Sequence, residues 1–317
     1  MVEARQLTSF KRLAGTAGVP PANDSPHDGL EGHYSRDALV CGRDARSPGK
    51  SLERPDRFMT ETAKRDLVFE TPRFVERLED CFFYHAMDLP GFGLVPAHWD
   101  LRGRFDDYVG GLEVAGKSVL DVGAATGFLS FEAEQRGASR VVSFDMSDAS
   151  QQAFLPFKDK LYYRDPERWA KQYGAEIEQW KNAYWLCHRL LNSKAEVYYG
   201  TVYDLPEQLG QFDIAIVGSV LEHLSDQISA LASIARRTRE TIVIVSPLLQ
   251  TDERIARFES LASNPDADFT WWTYSLGVYR EVFGMLGFSI ARVSQAKYYY
   301  MYGDRFEERS TVVAVRD

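Results

Sequence analysis

Apolar runs of strand length alternate with longer segments of helical periodicity from residue 118 to the end of the chain. Such alternation predicts an α/β fold with a doubly wound, mainly parallel sheet, because parallel strands need crossover connections long enough to hold a helix. The last two strands have no helical segment between them, so we expect them to pair antiparallel at one edge of the sheet. The seven expected strands are residues 118–122, 140–144, 195–199, 212–217, 241–245, 288–294 and 310–316.

The expected helices lie between these strands, at residues 127–136, 176–191, 222–237 and 275–286. Two connections, near residues 150–175 and 247–273, are longer than a crossover needs. Long connections at the ends of strands often carry function. We therefore expect these two insertions to form a lid or the walls of a substrate site.

The chain before residue 112 divides into two parts. Residues 1–58 are rich in Pro, Gly, Asp, Ser and Arg and have no sustained apolar period, so we expect a disordered tail, with Met59 as an alternative natural start. Residues 59–111 are expected to form an N-terminal helical cap, because residues 66–87 have the apolar spacing of an amphipathic helix. Residues 112–317 then form the main domain.

Composition restricts the classes of function. The net charge of -9 argues against a protein that gains its affinity by neutralising nucleic-acid phosphates. No apolar run approaches the roughly 20 residues that a membrane helix needs, so we expect no membrane partner. The cysteines Cys41, Cys81 and Cys187 form no CxxC pair, which predicts reduced thiols in the cytoplasm and no metal site.

A glycine loop follows the first of these strands, in the stretch "SVLDVGAATG". A dinucleotide site would need glycines in the spacing GxGxxG, but Ala125 and Phe128 occupy the middle and last positions. The second strand ends at Asp145, roughly 20 residues beyond the loop, where a carboxylate can accept the hydroxyls of a ribose. The residues therefore predict a site for a nucleoside without a pyrophosphate.

Three stretches in chain order, "VLDVGAATG", "VVSFD" and "FDIAIVGSVLEHLSD", resemble the motifs of class I S-adenosylmethionine-dependent methyltransferases, and the resemblance covers Val114 to Pro247. It implies a Rossmann-like methyltransferase fold with S-adenosylmethionine as cofactor. The family often has an acidic residue after the third strand, where this chain has Thr201. Carried over by position, the cofactor residues would be Asp121, Gly123, Ala124 and Gly127 at the methionine end, Asp145 at the ribose, Met146, Thr201 and Val202 at the adenine, and Gly218 and Ser219 beneath the methyl donor.

The segment "CFFYHAMDLPGFGLVPAHWDLRGRF" resembles a bacterial subgroup related to the tRNA wobble-uridine methyltransferases. That subgroup places a Trp or Phe, a Tyr and a His ahead of the cofactor domain, here Phe83, Tyr84 and His85. The resemblance implies catalytic roles for Tyr84 and His85. Packing of an amphipathic helix explains both residues equally well.

His223 is the third catalytic candidate, because an imidazole near the donor methyl can remove a proton from an attacking hydroxyl or amine. Glu222 and His223 also begin a helix, where the pair can simply satisfy the helix dipole and the loop. Aromatic residues crowd both insertions, and they suit either an acceptor wall or core packing.

The sequence thus predicts methyl transfer to an oxygen or nitrogen of a small-molecule acceptor. A tRNA acceptor is the first alternative, and a non-catalytic cofactor-binding protein of the same fold is the second. A dehydrogenase is disfavoured by the missing third glycine. Oligomeric state is left open.

Overall fold

The computed structural model describes residues 69–317. The expected tail, Met59 and Cys41 lie outside this range. The strands are β1 (Met87–Leu89), β2 (Gly93–Val95), β3 (Trp99–Asp100), β4 (Ser118–Val122), β5 (Arg140–Asp145), β6 (Glu196–Tyr199), β7 (Phe212–Gly218), β8 (Thr238–Ser246), β9 (Ala256–Phe258), β10 (Trp272–Tyr274), β11 (Phe288–Tyr300) and β12 (Arg305–Arg316). The helices are α1 (Phe105–Tyr108), α2 (Phe128–Gln135), α3 (Leu161–Arg164), α4 (Pro166–Leu190), α5 (Gln227–Arg237) and α6 (Leu276–Met285).

The central sheet has the strand order β3-β11-β12-β8-β7-β4-β5-β6. Strands β4 to β8 are parallel, and β12 runs antiparallel to both of its neighbours, β8 and β11. The mainly parallel α/β fold and the antiparallel pairing of the last two long strands are confirmed. The antiparallel strand β12 is not the edge strand, however. β11 lies outside β12, and the two-residue β3 adds an eighth strand outside β11.

The middle strands are buried on both faces, as expected of a parallel sheet covered by helices. Alternate residues belong to different cores: Val119 and Ile214 pack with α2 and α4, whereas Leu120 and Ala215 pack with α5 and α6. This layering fixes the carboxyl ends of β4, β5 and β7 side by side, and the loops that leave these ends form the candidate site.

The helical cap expected for residues 59–111 is wrong over its described part. That part contains a single 3-10 turn at Leu78–Asp80, the β1/β2 hairpin, β3 and the one-turn helix α1. Cys81, Phe83 and His85 are buried while the residues between them are half-buried, which is the period of two of an extended chain. Backbone bonds to distant residues stabilise this conformation, including Phe82 N to Gln179 O (3.0 Å).

Helix α4 starts ten residues earlier than expected, so the first insertion is shorter than its predicted bounds. Asp165 caps this start by accepting a hydrogen bond from the backbone N–H of Arg168, and Pro166 occupies the first helical position. The second insertion contains the antiparallel pair β9 and β10. None of the helices in residues 69–317 is long and apolar enough to cross a membrane.

Candidate active site

The glycine loop between β4 and α2 requires glycine at two positions. Gly123 has φ +78 and Gly127 has φ +87, both in the left-handed region. A Cβ on Gly123 would overlap Cγ2 of Val220, and a Cβ on Gly127 would lie 2.8 Å from Cε2 of Tyr184. The loop therefore rests directly against the chain that leaves β7 at Gly123 and against α4 at Gly127, with no room for a side chain at either position.

Asp145 fastens the end of β5 to this loop. One carboxylate oxygen accepts the backbone N–H of Ala125 and the other accepts that of Met146, each at 2.7 Å. Burial raises the pKa of Asp145, and the two backbone hydrogen bonds oppose that shift. The carboxylate is thus held in place by the backbone, and it keeps lone pairs for further hydrogen bonds.

A narrow cleft opens beside the loop and the carboxyl end of β5. Ala124, Asp145 and Met146, three of the residues that the resemblance assigns to the cofactor, line it. Residues of α4 and β6 that were not predicted complete the wall, namely Ile177, Trp180, Lys181 and Tyr199. All four lie within the predicted helix and strand, and they were missed because no local pattern shows that these positions of α4 and β6 face the glycine loop.

Lys181 places a positive charge in this wall. Its Nζ donates a hydrogen bond to the carbonyl of Ser147 at 2.8 Å and lies 4.5 Å from the centre of the Tyr199 ring. Its charge also lowers the pKa of Asp145, against the larger effect of burial. The cation therefore helps to keep the Asp145 carboxylate ionised.

Asp121 lies beneath the cleft. It is 1% exposed, and one carboxylate oxygen accepts the Ser130 hydroxyl at 2.7 Å, while the other has no hydrogen-bond partner among residues 69–317. The chain of hydroxyls continues from Ser130 to Ser143 and from Ser143 to Tyr184, and these last two residues line the cleft. Burial raises the pKa of Asp121 to about 7.

The other predicted cofactor residues sit at the ends of β6 and β7. Thr201 is exposed, and Val202 packs on the core that faces α5 and α6. Gly218 ends β7, and Ser219 follows it with φ +51, a left-handed conformation that residues other than glycine seldom adopt. The backbone N–H of Ser219 donates to the carbonyl of Val245 at 2.7 Å, which fastens this turn to β8.

Tyr84 and His85 lie close to the loop, although on an extended segment. The Tyr84 ring centre is 5.6 Å from that of Trp180, which lines the cleft. The backbone N–H of His85 donates to the Thr126 hydroxyl at 3.2 Å. Burial lowers the pKa of His85 to about 3, so its imidazole is neutral at physiological pH. His85 therefore packs and supports the loop as an uncharged ring.

His223 and Glu222 form a 3-10 turn after β7. Nδ1 of His223 lies 2.9 Å from the carbonyl oxygen of Phe269, so Nδ1 must carry the hydrogen and a neutral ring leaves Nε2 as a proton acceptor. Glu222 is buried, and its carboxylate accepts the Ser246 hydroxyl at 3.0 Å. Within residues 69–317, no three potential ligands are placed to hold a metal ion.

The two insertions are bonded to each other. The backbone N–H of Leu155 donates to the Asp268 carbonyl at 2.7 Å, the Tyr162 hydroxyl donates to the Asp268 carboxylate at 3.2 Å, and Trp271 Nε1 donates to the Ala153 carbonyl at 2.8 Å. Most aromatic rings of the first insertion and the start of α4 pack on one another, as in the stacked pair Phe154 and Tyr162. Packing therefore explains these rings better than an acceptor wall.

The profile of the family described as methyltransferase domain matches residues 102–290, more than half of the chain. Solved structures with a similar fold include magnesium protoporphyrin IX methyltransferase from Synechocystis PCC 6803 with bound SAH, at 17% identity and a TM-score of 0.43, covering 67% of this chain and 82% of that one.

Two further structures have lower scores. An S-adenosylmethionine-dependent methyltransferase from Mesorhizobium loti has 15% identity and a TM-score of 0.39, covering 68% of this chain and 100% of that one. A candidate RNA methyltransferase from Pyrococcus horikoshii has 13% identity and a TM-score of 0.40, covering 67% and 83%. Similarity at this level reflects the fold and does not identify an acceptor.

Proposed function

The chain belongs to the methyltransferase-domain family and is an S-adenosylmethionine-dependent methyltransferase, and from this premise we propose that its acceptor is a small molecule methylated on oxygen or nitrogen. The observation that supports use of this cofactor is the cradle formed by the glycine loop and Asp145. The two glycines let the loop turn in left-handed conformations packed against Val220 and Tyr184, and a fixed carboxylate at the end of β5 offers acceptors to a ribose.

We propose the following roles within this cradle. S-adenosylmethionine, when bound, supplies an electrophilic methyl group on a sulfonium. Asp145 binds the ribose hydroxyls, while Asp121 supports the loop from below through Ser130. The remaining contacts are Gly123, Ala124 and Gly127 at the methionine end, Met146, Thr201 and Val202 near the adenine, and Gly218 and Ser219 below the methyl donor.

His223 is the proposed proton acceptor for the attacking hydroxyl or amine. Its Nδ1–H is used by the Phe269 carbonyl, which fixes the tautomer that leaves Nε2 basic. Tyr84 is proposed to contact the acceptor beside Trp180, and His85 to hold the loop through its backbone. A positioned base contributes roughly 10²- to 10⁴-fold to such a transfer.

Two features favour a small acceptor over RNA. The net charge of -9 disfavours binding through phosphates. The apolar cluster of the first insertion and α4 also shares Met146, Ile177 and Trp180 with the wall of the cleft, so this insertion adjoins the cleft. RNA is the rival acceptor because the segment before the domain resembles the wobble-uridine subgroup. We propose a cytoplasmic reaction, consistent with the free, buried thiols of Cys81 and Cys187.

The test combines the purified protein, methyl-labelled S-adenosylmethionine and a lysate of the source cell, followed by separation of RNA from small molecules. Label in the small-molecule fraction supports the proposal and allows the acceptor to be identified by mass. Label in RNA replaces the proposed acceptor class. A protein that binds the cofactor and labels neither fraction is better explained as non-catalytic.

Two substitutions separate the roles of His223 in the same assay. In His223→Asn the amide N–H can replace Nδ1–H at the Phe269 carbonyl but cannot accept a proton, so transfer should fall about 10²- to 10⁴-fold with cofactor affinity unchanged. If His223 only anchors the insertion, His223→Asn keeps activity while His223→Ala loses it. His188→Ala, which removes a histidine on α4 that bonds the Ala195 carbonyl, is the matched control.

A further inference from the structure

Glu222 is a buried acidic residue at the carboxyl ends of β7 and β8. It belongs to the 3-10 turn that follows β7 and is 4% exposed. Its carboxylate accepts the hydroxyl of Ser246, the last residue of β8, at 3.0 Å. The residue before Ser246 is Val245, whose carbonyl accepts the backbone N–H of Ser219 at 2.7 Å. The carboxylate therefore lies beside the turn of Ser219, at the edge of the sheet from which the glycine loop also leaves.

No cation of the described chain neutralises this carboxylate. None of the ion pairs formed within residues 69–317 involves Glu222. Arg309, on the strand β12 next to β8, pairs with Glu307 at 2.9 Å. Nδ1 of the adjacent His223 bonds a backbone carbonyl. Because a buried charge is costly unless it is paired, a buried carboxylate without a cation in the protein indicates a cationic ligand.

The fold does not require the charge of Glu222. Its backbone carbonyl accepts the N–H of Trp271 at 2.8 Å, and this bond to the second insertion does not involve the side chain. Ser246 needs only a neutral acceptor, which the amide oxygen of a glutamine would supply. The charge instead acts on the site, where burial raises the pKa of Tyr84 to about 12 and the Glu222 carboxylate adds to that increase.

We propose that Glu222 is the counter-charge for the sulfonium of S-adenosylmethionine, so that the site prefers the charged cofactor to its neutral product, S-adenosylhomocysteine. The proposal rests on the proposed position of Gly218 and Ser219 below the methyl donor. Methyl transfer breaks the sulfur–methyl bond and leaves its electron pair on sulfur, so the sulfonium becomes a neutral thioether. Glu222 then loses the positive charge that it attracts, and the product is bound less tightly than the cofactor.

The experiment measures the affinities of the full chain for S-adenosylmethionine and S-adenosylhomocysteine by calorimetric titration. The two compounds differ only in the methyl group and its charge, so the ratio of their affinities cancels the contacts that both make. Glu222→Gln keeps an oxygen for the Ser246 hydroxyl and removes the charge. It should lower the preference for S-adenosylmethionine roughly 10- to 100-fold, the effect of one unit charge acting over about 6–12 Å at an effective dielectric constant of about 20.

Two further variants separate charge from shape. Glu222→Asp keeps the charge and should keep the preference within about threefold of the wild type. Glu240→Gln is the matched control, because it makes the same change of charge at the amino end of β8, where Glu240 pairs with Lys117, and it should leave the preference unchanged. An unchanged preference in Glu222→Gln, or an equally large loss in Glu222→Asp, would overturn the proposal. Binding of neither compound by the wild type would instead refute the cofactor site on which the proposal rests.

Discussion

Replacing Gly123 with alanine tests whether the glycine loop lies directly against the chain that leaves β7. Gly123 has φ +78, and a Cβ added there would overlap Cγ2 of Val220 and lie 3.6 Å from its Cβ. Two separate costs follow, the strain of a left-handed alanine and the displacement of Val220. They can be measured independently because only the second depends on the valine side chain.

The first cost is roughly 1–2 kcal/mol for an L-residue in the left-handed region. The second is that of an overpacked core, about 1–3 kcal/mol. Gly123→Ala should therefore lower the free energy of unfolding by about 2–5 kcal/mol. Val220→Ala alone removes two methyl groups from a half-buried side chain, at a cost of roughly 1.5 kcal/mol or less.

The double variant Gly123→Ala, Val220→Ala keeps the backbone strain and loses the overlap. It should be more stable than the sum of the single effects predicts, by about 1–3 kcal/mol, the whole of the overpacking cost. Chemical denaturation of the four proteins gives the coupling free energy, and titration with S-adenosylhomocysteine shows whether the loop regains its binding conformation.

Gly116→Ala is the control, because Gly116 has φ +72 and no atom within 4 Å of the added Cβ. It should show only the backbone cost of roughly 1–2 kcal/mol. If the effects of Gly123→Ala and Val220→Ala add within about 0.5 kcal/mol, the close contact between the loop and β7 is refuted.

Three further predictions concern aspartates. Asp145→Ala leaves two backbone N–H groups without their acceptor, so binding of S-adenosylhomocysteine, measured by calorimetry, should weaken about 10- to 100-fold. An unchanged affinity would contradict the proposed ribose contact. Burial raises the pKa of Asp121 from 3.8 to about 7, so the native state binds more protons than the unfolded state between these pH values. The stability that this proton contributes is therefore lost as pH rises through about 7. Asp121→Asn should remove this pH dependence of stability, as measured by urea titrations at pH 5 and 8. Asp268→Asn weakens the bond to Tyr162 and should speed proteolysis of both insertions, whereas Asp266→Asn, at an exposed ion pair, should not.

Local patterns in the sequence determined the parts of this protein that local physics controls. Buried strands such as β4 and β7 have near-continuous apolar runs, because both faces are covered, and Gly123 and Gly127 mark a turn where a Cβ cannot fit. Asp145 could be placed at the loop because parallel strands bring their carboxyl ends to one edge. These features depend on residues close in sequence or on a fixed topology.

Only the tertiary structure decided the segment before β4 and the assembly of the site around the loop. The apolar spacing of residues 81–87 is that of a helix, but backbone hydrogen bonds to Gln179 and Trp99 hold this segment extended. Long-range partners outweigh the weak local helix propensity. The hydrogen bond that joins the two insertions at Asp268 likewise connects residues 106 positions apart. No local period encodes such contacts, because they exist only once the sheet has set the distance between its loops.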